Sequence, residues 1–161
     1  MRAKRWGDGG AEDWSAANVE AAAVGLLARR EHSRTELTRK LAARGAPAEL
    51  VETVLDSLAE RGLQSDARYA EALVNSRIGR RHGPARIRRE LNDRGVASAL
   101  AEEALDAADI DWFELARQAR QRRFGDAAPA EWNERVRQSR FLEYRGFTSD
   151  QVRFALGREH D

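Results

Sequence analysis

One short pattern occurs three times in the chain and constrains its fold more than any other feature. Leucine is followed four residues later by glycine, with arginine just before the glycine, in residues 41–45, 91–95 and 142–146. The copies are offset by 50 and 51 residues, and a second leucine stands ten residues beyond each glycine. Repetition at a fixed period of this size indicates a tandem array of small units that pack on their neighbours.

Each copy has the spacing of two helices joined by a tight turn. Leu37 and Leu41, like Ile87 and Leu91, stand four residues apart and therefore lie on one helix face. The glycine then falls where a helix ends in the left-handed conformation, which glycine adopts without a steric penalty. Another amphipathic segment precedes each pair, so the pattern predicts three helices in every unit.

Polar residues at the predicted helix starts support these boundaries. The spacing of Ser33 to Glu36 and of Thr148 to Gln151 is that of a capping box. Asp66 is predicted to cap the first helix of the second unit, and the first helix of the third unit is predicted to begin after Asp111.

Composition agrees with a helical fold, because valine and isoleucine are rare beside alanine, glutamate, arginine and leucine. We expect an all-α protein of three tandem three-helix repeats that form an elongated helical array. The predicted organisation is a flexible N-terminal leader at residues 1–13, repeat 1 at 14–62, repeat 2 at 63–109 and repeat 3 at 110–161.

Several classes of protein are disfavoured by what the sequence lacks. It contains no cysteine, which excludes a disulfide scaffold and thiolate zinc sites. It has no zinc-protease motif, phosphate-binding glycine loop or nucleophile elbow, so we expect neither an enzyme nor a cofactor. No apolar run has the length of a membrane helix, and the start lacks the apolar core of a signal peptide. We expect a cytoplasmic protein.

Aromatic and histidine residues are distributed unevenly. Eight of the eleven aromatic residues lie in the third repeat, where we expect a bulkier core or a terminal cap, or alternatively a contact surface for a partner. His32 and His82 occupy equivalent positions just before helix starts, which indicates a role in turn geometry rather than in catalysis.

The charges nearly cancel to a net +1, but they are segregated along the chain. Residues 77–94 contain seven arginines and two acids, residues 102–114 contain six acids and no base, and residues 117–123 contain four arginines and no acid. Arginine recurs just before each repeat glycine, at Arg44, Arg94 and Arg145, where a cation stabilises the end of a helix.

A second recurring position is predicted to point outward. Arg39, Arg89 and Arg140 each stand two residues before the core leucine, which places them on the opposite face of the helix. Guanidinium groups at equivalent points of a repeating array suit a partner that itself repeats, such as a polyanion or a protein filament.

The helix, glycine turn and helix of each unit also imitate a DNA-binding helix-turn-helix. In that motif the helix after the turn enters the major groove. Here this helix carries several acids, which phosphates would repel, so reading of a DNA groove is disfavoured. The acids are Glu49, Glu52 and Asp56 in repeat 1 and Glu102, Glu103, Asp106 and Asp109 in repeat 2.

Five segments in their order and spacing resemble the bacterial RecX regulatory proteins over residues 16–158. They are Ser33-Arg-Thr-Glu-Leu37 leading into Lys40-Leu-Ala-Ala-Arg-Gly45, Asp66-Ala-Arg-Tyr-Ala70, Gly83-Pro-Ala-Arg-Ile-Arg-Arg-Glu-Leu91 and Phe141-Leu-Glu-Tyr-Arg-Gly-Phe147. The resemblance implies a cytoplasmic modulator of RecA, the recombinase that polymerises on single-stranded DNA. Such proteins bind the RecA filament, usually along its groove, and inhibit its ATP hydrolysis, strand exchange and coprotease activity. They thereby moderate DNA repair, homologous recombination and the SOS response, and have no catalytic residue or metal.

Our hypothesis is that arginines contact RecA and, through the filament, single-stranded DNA. The candidate contact residues are Arg39, Arg80, Arg81, Arg86, Arg88, Arg89, Arg120, Arg122, Arg123 and Arg140. Two alternatives are a free-standing DNA-binding regulator with helix-turn-helix-like units and a scaffold for some other protein. We expect no membrane partner and no small-molecule substrate.

Overall fold

The structure is a computed structural model that describes residues 14–157. These residues form nine α-helices and no strand, which confirms the all-α prediction. The helices are α1 (Ala16–Leu27), α2 (Arg34–Ala43), α3 (Ala48–Glu60), α4 (Asp66–Gly79), α5 (Pro84–Asp93), α6 (Ser98–Ala107), α7 (Trp112–Phe124), α8 (Trp132–Tyr144) and α9 (Ser149–Ala155). The leader predicted at residues 1–13 and the last four residues assigned to repeat 3 lie outside the described residues.

The repeated pattern forms the turn that its spacing predicts. Gly45, Gly95 and Gly146 have φ angles of 91°, 74° and 95°, in the left-handed region. The arginine before each glycine is the C-cap residue of the middle helix of its repeat, as predicted. In each repeat the amide of the residue after the glycine donates to the carbonyl of the pattern's leucine, which closes the turn.

The predicted capping boxes at Ser33 and Thr148 are both present. The Asp111 carboxylate likewise accepts hydrogen bonds from the Phe113 and Glu114 amides at the start of α7.

The prediction for Asp66 was wrong. Asp66 is the first residue of α4, and the hydroxyl of Ser65 accepts the hydrogen bond from the Arg68 amide. The Asp66 carboxylate instead accepts from the Arg34 amide at 2.9 Å and from the side-chain amide of Gln64 at 2.9 Å. Asp66 therefore joins the start of α2 to the start of α4, a contact that local spacing cannot indicate.

The chain divides into two compact units, the first extending to Tyr69 and the second beginning at Ala70. The boundary falls inside α4, so repeat 1 forms the first unit with the beginning of α4. The core of the first unit is apolar, because all three helices of repeat 1 contribute fully or almost fully buried side chains. They include Val19, Ala23, Leu37, Leu41, Val51, Leu55 and Leu58.

The second unit contains most of repeat 2 together with repeat 3. Leu115, Ala116, Leu142, Phe147 and Leu156 form the buried core of repeat 3. In repeat 2, the α5 side chains of Ile87 and Leu91 are fully buried.

Helices α5 and α8, from different repeats, meet end to end within the second unit. The Gly83 amide donates to the Arg145 carbonyl at 2.7 Å, and the Ala85 amide donates to the Gly146 carbonyl at 3.1 Å. Free amides at the start of one helix thus satisfy free carbonyls at the end of another. A Cβ atom on Gly83 would lie 2.3 Å from the Gly146 backbone, so this contact requires glycine.

The aromatic residues of repeat 3 divide into core residues, as one of the two interpretations predicts, and exposed residues. Phe147 is buried, and Trp112 and Phe141 pack against the core as partly buried side chains. By contrast, Trp132 and Tyr144 are 68% and 76% exposed. No helix in the described part of the chain combines the length and apolarity needed to cross a membrane.

Candidate interaction surface

The three arginines predicted to point outward do so. Arg39 on α2, Arg89 on α5 and Arg140 on α8 are all exposed, each on the face opposite a fully buried leucine. The side chains of Arg89 and Arg140 have no ion pair or hydrogen bond with another described residue. Their charges are therefore available to an anionic partner.

The remaining candidates occupy three kinds of environment. Arg80, Arg122 and Arg123 are exposed, whereas Arg81 and Arg86 are half-buried. Arg88 is exposed and forms an ion pair with Glu102, with its Nε 2.6 Å from the carboxylate. Exposed pairs of this kind contribute little to stability, about 0–1 kcal/mol, so a competing anion can displace the carboxylate at low cost.

Arg120 must be removed from the predicted contact surface. Its side chain is buried at 3% exposure, because α7 turns this residue toward the connection between α7 and α8. Its guanidinium donates to the carbonyls of Ala127 at 3.1 Å, Asp126 at 3.2 Å and Gly125 at 3.4 Å. Burial lowers the pKa of Arg120. The residue holds a loop and cannot reach a partner.

A cluster of cationic side chains surrounds the contact of α5 with α8. The Arg145 guanidinium donates to the Arg80 carbonyl at 2.9 Å, and the Cζ of Arg86 lies 5.2 Å from the centroid of the Tyr144 ring. We call Arg80, Arg81, Arg86, Tyr144 and Arg145 the junction surface. The sequence identifies Tyr144 only as one of the eight aromatic residues of repeat 3, and Arg145 only as a helix-capping residue. The available signal was that Tyr144 stands where the other repeats have Ala43 and Asp93.

The backbone of Arg81 has an unusual conformation for its residue type. Its φ is 58°, in the left-handed region, at the end of α4. A positive φ is found in glycine after α2, α3, α5, α7, α8 and α9, and in aspartate after α6. An arginine here carries a steric cost of about 1 kcal/mol that glycine would avoid, and such outliers concentrate at functional sites.

The equivalent positions of repeat 1 carry one positive and two negative charges. Counting back 50 residues from Arg80, Arg81 and Arg86 gives Arg30, Glu31 and Glu36. Burial opposes ionisation of Glu36, but hydrogen bonds from the Arg30 guanidinium and the Ser33 amide outweigh it and lower its pKa to about 2. Repeat 1 thus has an ion pair between two of these positions, whereas repeat 2 has a cation at all three.

The two equivalent histidines differ in the same way. The Nδ1 of His32 lies 3.1 Å from the Arg30 carbonyl and its Nε2 lies 3.0 Å from the Lys40 ammonium, which satisfies both nitrogens of a neutral ring. His82 is 8% exposed, and its buried Nδ1 has no hydrogen-bond partner among the described residues. Burial and then the charges of Arg86 and Arg145 lower the pKa of His82 to about 4. His82 is therefore a neutral, buried side chain near pH 7, close to the charges of Arg86 and Arg145.

The acidic residues expected to oppose groove binding are exposed. They are Glu49, Glu52 and Asp56 on α3, and Glu102, Glu103 and Asp106 on α6. The outward faces of α3 and α6 are thus anionic, which argues against insertion of either helix into a DNA groove. The described residues contain no group of three or more side chains of the metal-binding types placed to hold an ion.

Three family models match the chain, at residues 21–58, 65–105 and 109–156. Their descriptions are the first, second and third three-helix domains of RecX. A regulatory protein RecX of Halorhodospira halophila is 52% identical over 137 residues, which cover 85% of each chain. A regulatory protein RecX of Pseudomonas savastanoi pv. phaseolicola is 50% identical over 144 residues, covering 89% of this chain and 93% of the relative.

Solved structures agree on the fold. The crystal structure of RecX from Lactobacillus salivarius has a TM-score of 0.73 at 21% identity and covers 88% of this chain and 94% of its own. A second crystal structure, of regulatory protein RecX, has a TM-score of 0.74 at 22% identity and covers 89% and 73%.

Proposed function

Because the chain belongs to the RecX family of regulatory proteins, we propose that it binds RecA and the filament that RecA forms on single-stranded DNA. By binding, it inhibits the ATPase, strand-exchange and coprotease activities of RecA. It thereby moderates DNA repair, homologous recombination and the SOS response in the cytoplasm.

The observation that carries this proposal is the repeated exposure of arginine. Arg39, Arg89 and Arg140 occupy equivalent positions of three repeats, and all three are exposed. A filament presents the same surface at regular intervals, so each repeat can make a similar weak contact. Contacts linked within one chain act together, since after the first is made the others form at a high effective concentration.

Inhibition by this route needs no catalytic group. A ligand that binds one filament state more tightly than another shifts the equilibrium toward the preferred state by its difference in affinity. In this proposal, the protein binds most tightly to a RecA state that does not hydrolyse ATP or exchange strands.

The test is ATP hydrolysis by RecA on single-stranded DNA, titrated with this protein. We expect inhibition by the wild-type chain. The double variant Arg89→Ala/Arg140→Ala removes two exposed, unpaired guanidinium groups and should raise the concentration for half-inhibition by about tenfold, since each contributes about 1 kcal/mol or less.

The matched control is Arg29→Ala/Arg44→Ala, which removes two guanidinium groups that are also exposed and have no ion pair among the described residues, but that lie outside the candidate surface. It should inhibit like the wild type. If both double variants lost inhibition equally, the change in net charge alone would explain the effect. Tight, salt-dependent binding to duplex DNA with no effect on RecA would favour a free-standing DNA-binding regulator.

A further inference from the structure

The junction surface combines an exposed aromatic ring with several cations, all within the second unit. Tyr144 is 76% exposed, and Arg86 lies over its ring with Cζ 5.2 Å from the centroid. Arg80 and Arg81, at the end of α4, have no side-chain ion pair among the described residues, and Arg145 donates to the Arg80 carbonyl. A tyrosine of this exposure contributes little to the core.

The contact of α5 with α8 holds these side chains in place. Gly83 and Gly146 bring the two backbones together, and a Cβ on Gly146 would lie 2.3 Å from the Cβ of Arg86. The start of α5 and the end of α8 are therefore fixed against each other, so Arg86 and Tyr144 face one another on a rigid support.

Two features indicate that the positive charge serves a ligand rather than the fold. Repeat 1 fills the equivalent positions with Arg30, Glu31 and Glu36 and forms a partly buried ion pair there, so this helix geometry does not need three cations. Moreover, Arg81 has a positive φ at a helix end, whereas six other helix ends with a positive φ have glycine and one has aspartate.

We propose, resting on the function proposed above, that the junction surface binds single-stranded DNA directly. An unpaired base stacks on the Tyr144 ring beside the Arg86 guanidinium, and adjacent phosphates contact Arg80 and Arg81. Surfaces that combine aromatic rings with guanidinium groups bind single strands in this way, because every base has a flat face and every linkage carries a charge. Duplex DNA keeps its bases stacked and cannot use the ring.

The experiment measures binding of this protein, without RecA, by fluorescence anisotropy. The two labelled probes are an oligothymidylate and an abasic oligomer of the same length. Unlabelled polyglutamate is then added as a competitor. The wild-type chain should bind the thymidylate roughly tenfold more tightly than the abasic oligomer, because stacking contributes to binding at each base contacted. Tyr144→Ala should remove this preference without weakening abasic binding.

Two control variants isolate the ring. Tyr144→Phe keeps the aromatic face and should keep the preference for thymidylate. Trp132→Ala removes another exposed aromatic residue of α8 that lies outside the junction surface, and should leave the preference unchanged. A preference that survives Tyr144→Ala would overturn the proposal.

Two charge variants keep folding separate from binding. Arg81→Gly relieves the left-handed strain, so the fold should be retained or stabilised while affinity for both oligomers falls several-fold. Arg86→Glu places beside Arg80 the residue type that repeat 1 has beside Arg30, and should abolish detectable binding while the helical circular dichroism persists. Unchanged affinity in folded Arg81→Gly and Arg86→Glu proteins would contradict the proposed phosphate contacts.

The outcomes separate this proposal from the function proposed above. If polyglutamate competes as well as the oligomers, the surface binds an acidic protein segment and the DNA proposal is wrong. A chain that inhibits RecA but shows no thymidylate preference refutes the stacking surface alone. A chain that shows the preference but leaves RecA unaffected refutes the inhibitory function alone.

Discussion

At the scale of single residues, the three repeat glycines have the same backbone conformation but different surroundings. Gly146 has φ of 95°, and an added Cβ would lie 2.3 Å from the Cβ of Arg86 and 2.6 Å from its backbone nitrogen. Gly45 has φ of 91°, and its nearest neighbour would be the Trp14 Nε1 at an ordinary 3.7 Å. The two sites differ in packing rather than in conformational demand.

This difference predicts unequal effects of one substitution. Gly45→Ala should lower the free energy of unfolding by about 1 kcal/mol, the cost of placing a side chain in the left-handed region. Gly146→Ala carries that cost and also forces α5 from α8, so it should cost about 3 kcal/mol or more. Thermal unfolding followed by circular dichroism compares the variants, and equal losses would show that the close approach is unimportant.

The sequence predicts the conformation of these glycines but not the contact that Gly146 makes. A glycine after an amphipathic helix with arginine before it indicates a left-handed turn from local spacing alone. The approach of Gly146 to Arg86 joins residues far apart in the chain and depends on how two repeats pack. For the same reason the stacking of Arg86 on Tyr144 was not predicted.

At the scale of elements, the connection between α7 and α8 depends on one buried arginine. Arg120 donates to the carbonyls of Gly125, Asp126 and Ala127, which have no regular secondary structure to satisfy them. Arg120→Ala leaves these groups without their donor and opens a cavity, and should cost about 2–4 kcal/mol. Hydrogen exchange of residues 125–131, measured by mass spectrometry, should increase before that of the first unit.

Arg122→Ala is the matched control, because Arg122 is exposed on the same helix and has no partner among the described residues. It should change the free energy of unfolding by less than about 0.5 kcal/mol. If Arg120→Ala were equally mild, its carbonyl contacts would have no structural importance. Four arginines within residues 117–123 look alike in sequence, and only the path of the following loop distinguishes Arg120 from the others.

Helix boundaries, by contrast, were largely predictable. The capping boxes at Ser33 and Thr148 involve residues three positions apart, so spacing alone identifies them. The prediction failed at Asp66, whose carboxylate accepts from the Arg34 amide 32 residues away while Ser65 caps the helix. Ser65 and Asp66 are adjacent and either could cap the helix. Because the Asp66 carboxylate is hydrogen-bonded to the Arg34 amide, Ser65 is the residue that caps it.

At the scale of the whole molecule, acid should weaken the second unit through His82. The pKa of His82 is about 4 in the folded chain and about 6.5 in an unfolded one. Between these values the unfolded state binds more protons, so the stabilisation present above pH 6.5 is lost as the pH falls toward 4. At pH 5 the expected loss is about 2 kcal/mol, measured as the opening free energy of α5 and α8 amides in hydrogen exchange.

The variant His82→Gln removes the titrating group and should show a smaller loss between pH 7 and pH 5. The same loss in variant and wild type would assign the acid sensitivity to another group. Glu36, in the first unit, has a lowered pKa of about 2, so its stabilisation persists above pH 4.5 and is lost only as the pH falls from there toward 2.

The order of the repeats could be predicted at this scale, but their grouping could not. The Arg-Gly turns establish three helical units because they recur at a constant offset. The division within α4 and the grouping of repeat 3 with most of repeat 2 depend on tertiary contacts such as that between Gly83 and Gly146.

The hydrogen bonds that join α5 to α8 have a consequence for how such a protein can change. Both bonds connect main-chain atoms, the amides of Gly83 and Ala85 and the carbonyls of Arg145 and Gly146. Provided both glycines are kept, exposed side chains around the contact can be exchanged while these two bonds remain. Main-chain atoms thus supply part of the architecture, and the same scaffold can acquire a new ligand by substitutions of the exposed side chains.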